Sequence, residues 1–504
     1  MKHIKSLVFK PAGTPLLWRG GGGFWTGIIS LLFALPLHAQ VGDLPRTCPE
    51  AVGIPSRAVS RLMDSLMALP RANMHSLVVM RHGKVAYECY PAPFKAESMH
   101  TMYSCSKTFV AAAVGIAIDE GRLRLDSRVA DFFPMSHPDS VNLRAMTVRH
   151  LLTMSSGIEP DWGFRNTETQ WTRCWLSKPI GQPGRLFKYD SMCTYLLSAI
   201  LQKATGQSTL DYLTARLFQP LHITQVEWEE SPEGVDTGGW GLRIQAESLA
   251  KFGQLLLQGG RWQGRQLIPE AWVKAMMGKQ IDNGGEGYGY QMWRCKHPGA
   301  ARADGAYGQY ILVVPDKQMV VVMTQCSAVD GARQRDLVWR RLLPYVADGE
   351  LPSPSASEER RHRKHARTMR LPLPQGQSRP PHETPFRQDR PLPPNDCGWQ
   401  QLEIHQDASN RLTLSYVQDG RRVALPMIYG RWNTVSTPVT PVYSIGAQGR
   451  FRGIHGPFAL SGGYAFRPDG TLHIRLHYTD WMTVVDLLVP SEPDGKVEIK
   501  VNEK

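Results

Sequence analysis

The chain lacks most of the short patterns that announce a common chemistry. Its eight cysteines (Cys48, Cys89, Cys105, Cys174, Cys193, Cys295, Cys326 and Cys397) include no Cys-x-x-Cys pair, which argues against a zinc or thioredoxin-like site. Their scatter is compatible with disulfides in an oxidising compartment and pairs none of them. There is no Gly-x-Ser-x-Gly elbow, no His-Glu-x-x-His and no phosphate loop, so three large enzyme classes lose their usual signatures. The sixteen histidines show no ligand spacing. His82 and His150 read as turn and helix-start residues, and neither a metal nor a cofactor is expected.

Acidic residues are absent from positions 1 to 39, which carry Lys2, Lys5, Lys10 and Arg19. These four charges, and the run Arg360, Arg361, Arg363, Lys364, Arg367 and Arg370 set against Glu358 and Glu359, account for much of the formal +13. The folded parts are therefore only mildly basic, and nucleic acid is not an expected partner. The basic start leads into "GIISLLFALPL" (Gly27 to Leu37) and then Leu37-His38-Ala39, the layout of an export signal over residues 1–39. That apolar run is too short to span a bilayer, and Cys48 lacks a lipoprotein context. The expectation is an exported, periplasmic or extracellular protein with no stable membrane anchor.

From Pro49 to Gly349 helical and strand patterns alternate. "SLVVMRHGKVAYECY" (Ser76 to Tyr90) reads as a hairpin about His82-Gly83-Lys84, and "YGQYILVVPDKQMVVVMT" (Tyr307 to Thr324) as a second one. The apolar stretch after Lys107 reads as a buried helix ending at Gly121, and Tyr195 to Gly206 and Glu247 to Gly260 as helices closed by glycine. Strands at both ends of a helical middle imply an α+β domain over residues 40–350. Residues 351–396 are proline-dense and basic, the composition of an extended linker. Residues 397–504 show short alternating runs punctuated by Asp419-Gly420 and Asp469-Gly470, which predicts a small all-β domain.

One segment carries chemistry: "HTMYSCSKTFVAAAVGIAIDEGRL" (His100 to Leu123). Ser104 and Lys107, three apart on a helix start, share a face, so the amine can reach the hydroxyl. The helix amides favour negative charge at the attacked oxygen. Burial would lower the lysine pKa from about 10.4 and free it to act as a base, and the serine would form an acyl-enzyme. Ser106 has no such partner, and Cys105 reads as a buried small residue. A second Ser-x-x-Lys, Ser248 to Lys251, lies in an amphipathic helix whose apolar residues leave Lys251 on the solvated side, so it is not expected to be catalytic.

The segment "PGRLFKYDSMCTYLLSAILQKATGQSTLDYLTARLFQPL" (Pro183 to Leu221) resembles the second signature of the serine β-lactamase and penicillin-binding-protein superfamily, nearest to class C enzymes and their esterase and amidase relatives. Ser104 to Lys107 matches the first signature, and "VRHLLTMSSGI" (Val148 to Ile158) and Gly241 to Val273 match scaffold segments in the right order. The resemblance implies an antiparallel sheet flanked by helices, Tyr189 as the third proton-transfer group and Ser191 in the slot of a substrate-contacting asparagine. For the third signature it implies Ala303-Asp304-Gly305, with Gly305 beside the substrate and the amides of Ser104 and Ala306 as oxyanion hole; a register ending at Gly308 and Gln309 competes. Neither register holds the family's lysine or histidine, and Arg302 reads as a surface residue. "GAYGQY" is similar to the 6-aminohexanoate-dimer hydrolase and carboxylesterase branch. The implied function is an exported serine hydrolase acting on an ester or amide of a small or peptide-like substrate. A degenerate peptidoglycan- or peptide-binding protein and a D-alanyl-D-alanine carboxypeptidase are the alternatives.

Overall fold

The computed structural model of the protein describes residues 44–133, 141–381, 386–443, 447–492 and 494–502. The expected export segment lies outside them. Both expected hairpins are present and lie in one antiparallel sheet. Its strand order is Lys84–Cys89, Met74–Arg81, Met319–Gln325, Gln309–Val314, Ala301–Gly305, Trp293–Arg294. The first hairpin turns on His82 and Gly83, both left-handed (φ 50° and 74°), the backbone that a two-residue turn between twisted strands requires.

Met74–Arg81 and Met319–Gln325 are buried at every position, which is why they read as continuous apolar runs. Each strand sends alternate side chains to two cores. Leu77, Val79 and Val321 pack against Leu62, Met63 and Leu66 of the helix Ser56–Met67 and Val338 of Gly331–Arg341. Val78, Met80, Val320 and Val322 join a larger core with Phe109 of the helix Ser106–Asp119 and Phe252 of Ala246–Leu257. Burying one such side chain contributes about 1.5–3 kcal/mol, so the central strands form a rigid wall. The expected helix closures also occur: Ser191–Thr205 ends at left-handed Gly206, and Ser106–Asp119 runs out before left-handed Gly121.

The segment with linker composition differs from its expectation. Ala356–Thr368 is a helix, opened by a capping box between Ser355 and Glu358. It docks on Ser56–Met67: the His362 ring bonds the Ser60 hydroxyl at 3.0 Å, and the His365 ring bonds Asp64 at 2.8 Å. Two histidines thus supply the contacts that aliphatic residues usually make. Further on, Arg387–Pro391 is an edge strand, so the all-β region begins inside the stretch assigned to the linker.

That region holds two antiparallel sheets. One orders Arg387–Pro391, Trp399–Gln406, Arg411–Gln418 and Arg421–Ile428; the other orders Asn433–Thr437, Phe458–Phe466, Leu472–Tyr478, Val484–Val489 and Glu498–Val501. Their inner faces share a core that includes Leu414, Leu425, Met427, Leu460, Ile474 and Leu476. Asp419 and Gly420 are both left-handed and join two strands directly. The fold is therefore an α+β unit with a sheet flanked by helices, followed by an all-β region. No disulfide joins any of the eight cysteines, all of which lie in the described residues, and no described helix is long and apolar enough to cross a membrane.

Candidate active site

Strand Met99–Thr101 pairs with Leu242–Gln245 and delivers the chain into a tight turn, Tyr103–Cys105, that runs straight into the helix Ser106–Asp119. Tyr103 is left-handed (φ 46°), a backbone that costs about 1–2 kcal/mol for a residue with a side chain. The helix behind it is buried on every side through Ala117, so Lys107 enters the interior with its whole stem covered; the residue is 1% exposed.

The Lys107 amine has three contacts. Its Nζ donates to Ser104 Oγ at 3.0 Å, to Ser191 Oγ at 2.8 Å and to the Gly239 carbonyl at 2.5 Å. A protonated amine fills all three with N–H donors. A neutral amine keeps two donors, for Gly239 and Ser191, and turns its lone pair on the Ser104 hydroxyl. The environment favours the neutral form. Burial is the largest influence and pulls the lysine pKa down to about 7; the Asp190 carboxylate opposes this, and the Arg165 cation adds to it.

Tyr189 completes the group. Its half-buried ring lies 5.0 Å from Lys107 Nζ, and its phenol lies beside the Ser104 side chain. Trp293 and Tyr288 pack on the ring at 5.2 and 6.4 Å between centres. Burial pushes the phenol above its ordinary value, so it is a proton donor at neutral pH. The next residue, Asp190, caps the helix Ser191–Thr205 by accepting from the Met192 amide at 2.9 Å, and takes Trp175 Nε1 at 2.7 Å. Tyr189 and Ser191 flank this cap, and both reach the lysine amine, Ser191 through its hydroxyl and Tyr189 through its ring.

A serine and a buried lysine one helical turn apart, and a tyrosine from a second segment, thus meet around one point. A family model described as Beta-lactamase matches residues 59–343, more than half of the chain. The chain belongs to the beta-lactamase family. It is 24% identical to a 6-aminohexanoate-dimer hydrolase of Paenarthrobacter ureafaciens, over 57% of this chain and 81% of that one. It is 26% identical to penicillin-binding protein 4 of Amycolatopsis lactamdurans, over 51% and 79%. A solved structure from Bacillus anthracis, provisionally designated a 6-aminohexanoate-dimer hydrolase, superposes with a TM-score of 0.50 at 20% identity, covering 59% of this chain and 85% of that chain. Membership in this family makes the protein a serine hydrolase.

The rival nucleophiles are occupied. Ser106 Oγ donates to the Tyr103 carbonyl at 2.6 Å and accepts from the Leu242 amide at 3.0 Å. Cys105 is buried against the Gln309 carbonyl, and burial pushes its thiol up. In the second Ser-x-x-Lys the expectation of a solvated Lys251 is wrong. Both Ser248 and Lys251 are buried, and Lys251 donates to the His222 carbonyl at 3.2 Å, because the turn at His222 covers that side of the helix. His82 sits in its turn, and His150 caps Thr147 by accepting from its amide at 3.1 Å.

At the third signature of this beta-lactamase family member, Gly305 ends the strand Ala301–Gly305 against Met102, two residues before the serine. A Cβ on Gly305 would lie 2.3 Å from the Met102 carbonyl, so only glycine allows that approach. Gly308, left-handed (φ 91°), packs against Gln325 and Gln334. Ala306 is exposed beside a cleft of about 380 Å³ that also includes Asp304, Tyr307 and Arg335. Arg302 is not a surface residue: it pairs with Asp304 at 2.7 Å and donates to the Arg294 carbonyl at 2.6 Å. Ser191, assigned to substrate by resemblance, is buried with its hydroxyl on Lys107.

Sequence reasoning missed Gly239 and Arg165. A Cβ on Gly239 would meet the Ser191 carbonyl at 2.6 Å, which explains the second glycine of "TGGWG" (Thr237 to Gly241) as a close approach to Ser191 that brings the Gly239 carbonyl onto the lysine. Arg165 carried no signal, since its burial arises from two tryptophans far apart in the chain.

Proposed function

We propose that the protein hydrolyses an ester or amide through an acyl-enzyme on Ser104. The observation that carries this reading is the Lys107 amine, buried, biased toward its neutral form and 3.0 Å from Ser104 Oγ. The lone pair takes the Ser104 proton as Oγ bonds the substrate carbonyl carbon. The carbonyl oxygen becomes an anion held by the amides of Ser104 and Ala306. Collapse expels the alcohol or amine, which takes a proton from Tyr189, and the phenol is restored from the Lys107 ammonium. Water then attacks the ester carbonyl, giving its proton back through the same groups, and Ser104 leaves with its hydroxyl restored. Ser191 and Gly239 hold the amine throughout.

The branch named for 6-aminohexanoate-dimer hydrolase supports esters and linear amides as substrate class, since Ala303 stands where the family's basic residue would contact a carboxylate. The basic and apolar start of the chain supports export. A binding-only role would not need a lysine held neutral against the serine. Labelling by a serine-reactive phosphonate tests the reading: Ser104→Ala abolishes it and Ser248→Ala leaves it intact, whereas equal labelling of the Ser104 variant overturns the assignment.

A further inference from the structure

Behind Lys107 lies a buried cation that this chemistry leaves unused. Arg165, 2% exposed, has its guanidinium 4.4 Å from the ring centres of both Trp162 and Trp240. Its Nε donates to the Trp162 carbonyl at 3.3 Å, but Nη1 is buried with no hydrogen-bond partner. A buried charged donor left idle is costly, and an apolar side chain would fill a purely structural slot at less cost. Trp240 directly follows Gly239, the residue whose carbonyl accepts from Lys107. The clamp on the arginine and the acceptor of the lysine are therefore successive residues of one loop.

The all-β region grips the same loop. The Glu229 amide donates to the Gly241 carbonyl at 2.9 Å, and the Thr237 amide donates to the Glu229 carbonyl at 2.7 Å, so Glu229 ties both ends of Thr237 to Gly241. Its buried carboxylate accepts from the Tyr443 hydroxyl at 2.5 Å. The Gln448 amide donates to the Arg165 carbonyl at 2.7 Å, and its side chain donates to the Asn166 carbonyl at 2.6 Å. Tyr443 and Gln448 both lie between strands of the five-stranded sheet.

We propose that Arg165 is a positioning residue for Lys107, held in place by the all-β region through Gln448 and the Tyr443–Glu229 pair. The inference rests on the reading of Lys107 as the base. Arg165 acts in two ways. Stacked on Trp240, it fixes the Gly239 carbonyl on the amine. As a cation it repels a protonated Lys107. The charged groups around the lysine are Asp190, which favours protonation, and Arg165, which opposes it; the thiols of Cys105 and Cys193 are neutral, and Ser104, Ser191 and Tyr189 surround the amine. Arg165 itself faces Tyr443, Asp190, Glu229 and Asp161.

The test is the rate of phosphonate labelling of the full chain between about pH 5 and about pH 9. Loss of the cation raises the lysine's proton affinity, so Arg165→Gln moves the acid limb upward by about half a pH unit or more, while Arg165→Lys keeps the wild-type limb. Tyr443→Phe, which removes no charged side chain and deletes the bond to Glu229, slows labelling about threefold or more across the range by loosening the loop. An unmoved limb in folded Arg165→Gln overturns the role of Arg165, and an unchanged rate in Tyr443→Phe overturns the hold of the β region. Should Arg165→Gln fail to fold, Arg165→Lys decides, because a displaced limb with the charge retained counts against the proposal. A wild-type protein that does not label at Ser104 refutes instead the reading of the active site itself.

Discussion

Lys107 Nζ is shared between Ser104 Oγ at 3.0 Å and Ser191 Oγ at 2.8 Å, with the Gly239 carbonyl as third partner. One hydroxyl is the group to be activated and the other is an anchor. The division follows from position. Ser104 is partly exposed at the helix start, whereas Ser191 is buried at the start of another helix.

The first prediction concerns pH. Lys107 must be neutral to take the Ser104 proton, and burial brings its pKa down from 10.5 to about 7. Protonation at lower pH removes the lone pair, so kcat/KM for an aryl ester should rise with pH through about 7 and then level. An acid limb near pH 4, the range of an ordinary carboxylate, would mean that another group is the base.

Ser191→Ala separates anchoring from chemistry. The Ser191 hydroxyl accepts from the ammonium, so its removal lowers the lysine pKa further while leaving the amine less well held. The expected result is about a tenfold loss in kcat with the acid limb displaced to lower pH, the direction opposite to that for Arg165→Gln. Tyr189→Phe should cost about 10²-fold or more, the usual size of a lost general acid. Steady-state profiles of the two variants on one ester check both statements.

Substrate preference follows from the third signature. Ala303 offers no charge, and Arg302 is committed to Asp304 and to the Arg294 carbonyl, so a substrate carboxylate meets no free cation on that strand. Short-chain aryl esters should therefore be cleaved faster than a chromogenic cephalosporin. Faster cephalosporin turnover would show that a basic group from another element serves the carboxylate.

The parts of this site that could be read from the sequence are those set by local geometry. Ser104 and Lys107 lie one helical turn apart, and the two hairpins follow from strand patterns interrupted by turn residues. Gly239 could not be read, because its bond to Lys107 joins positions 132 apart and depends on how closely a glycine loop approaches Ser191. Lys251 was misassigned because an amphipathic pattern shows which face is apolar and not which neighbour covers the polar face. The helix Ala356–Thr368 was hidden by its composition: it has no aliphatic stripe and docks through His362 and His365. The capping box at Ser355 and Glu358 is a local signal for it that the proline-dense composition obscures.

The last prediction comes from the seam between the central sheet and the all-β region. His75 stacks on Phe94 at 3.6 Å between ring centres and its Nδ1 is 2.9 Å from His100 Nε2. His477, on the strand Leu472–Tyr478, sets its ring edge-on to Phe94 and to Trp432. All three rings are buried, and His75 Nε2 and both nitrogens of His477 have no hydrogen-bond partner. Burial holds each in its neutral form: His100 is pulled down to about 4, His477 to about 3, and His75 well below 6.5. In the unfolded chain they protonate near 6.5, so below that pH the unfolded state binds more protons than the native state. Stability should therefore fall as the pH drops from 6.5 toward 4, by about 1.4 kcal/mol per pH unit for each such histidine. Thermal unfolding followed across this window should show a declining Tm, and His477→Phe, which keeps an aromatic ring in the seam, should flatten the decline. An equal slope in that variant would place the acid sensitivity elsewhere in the molecule.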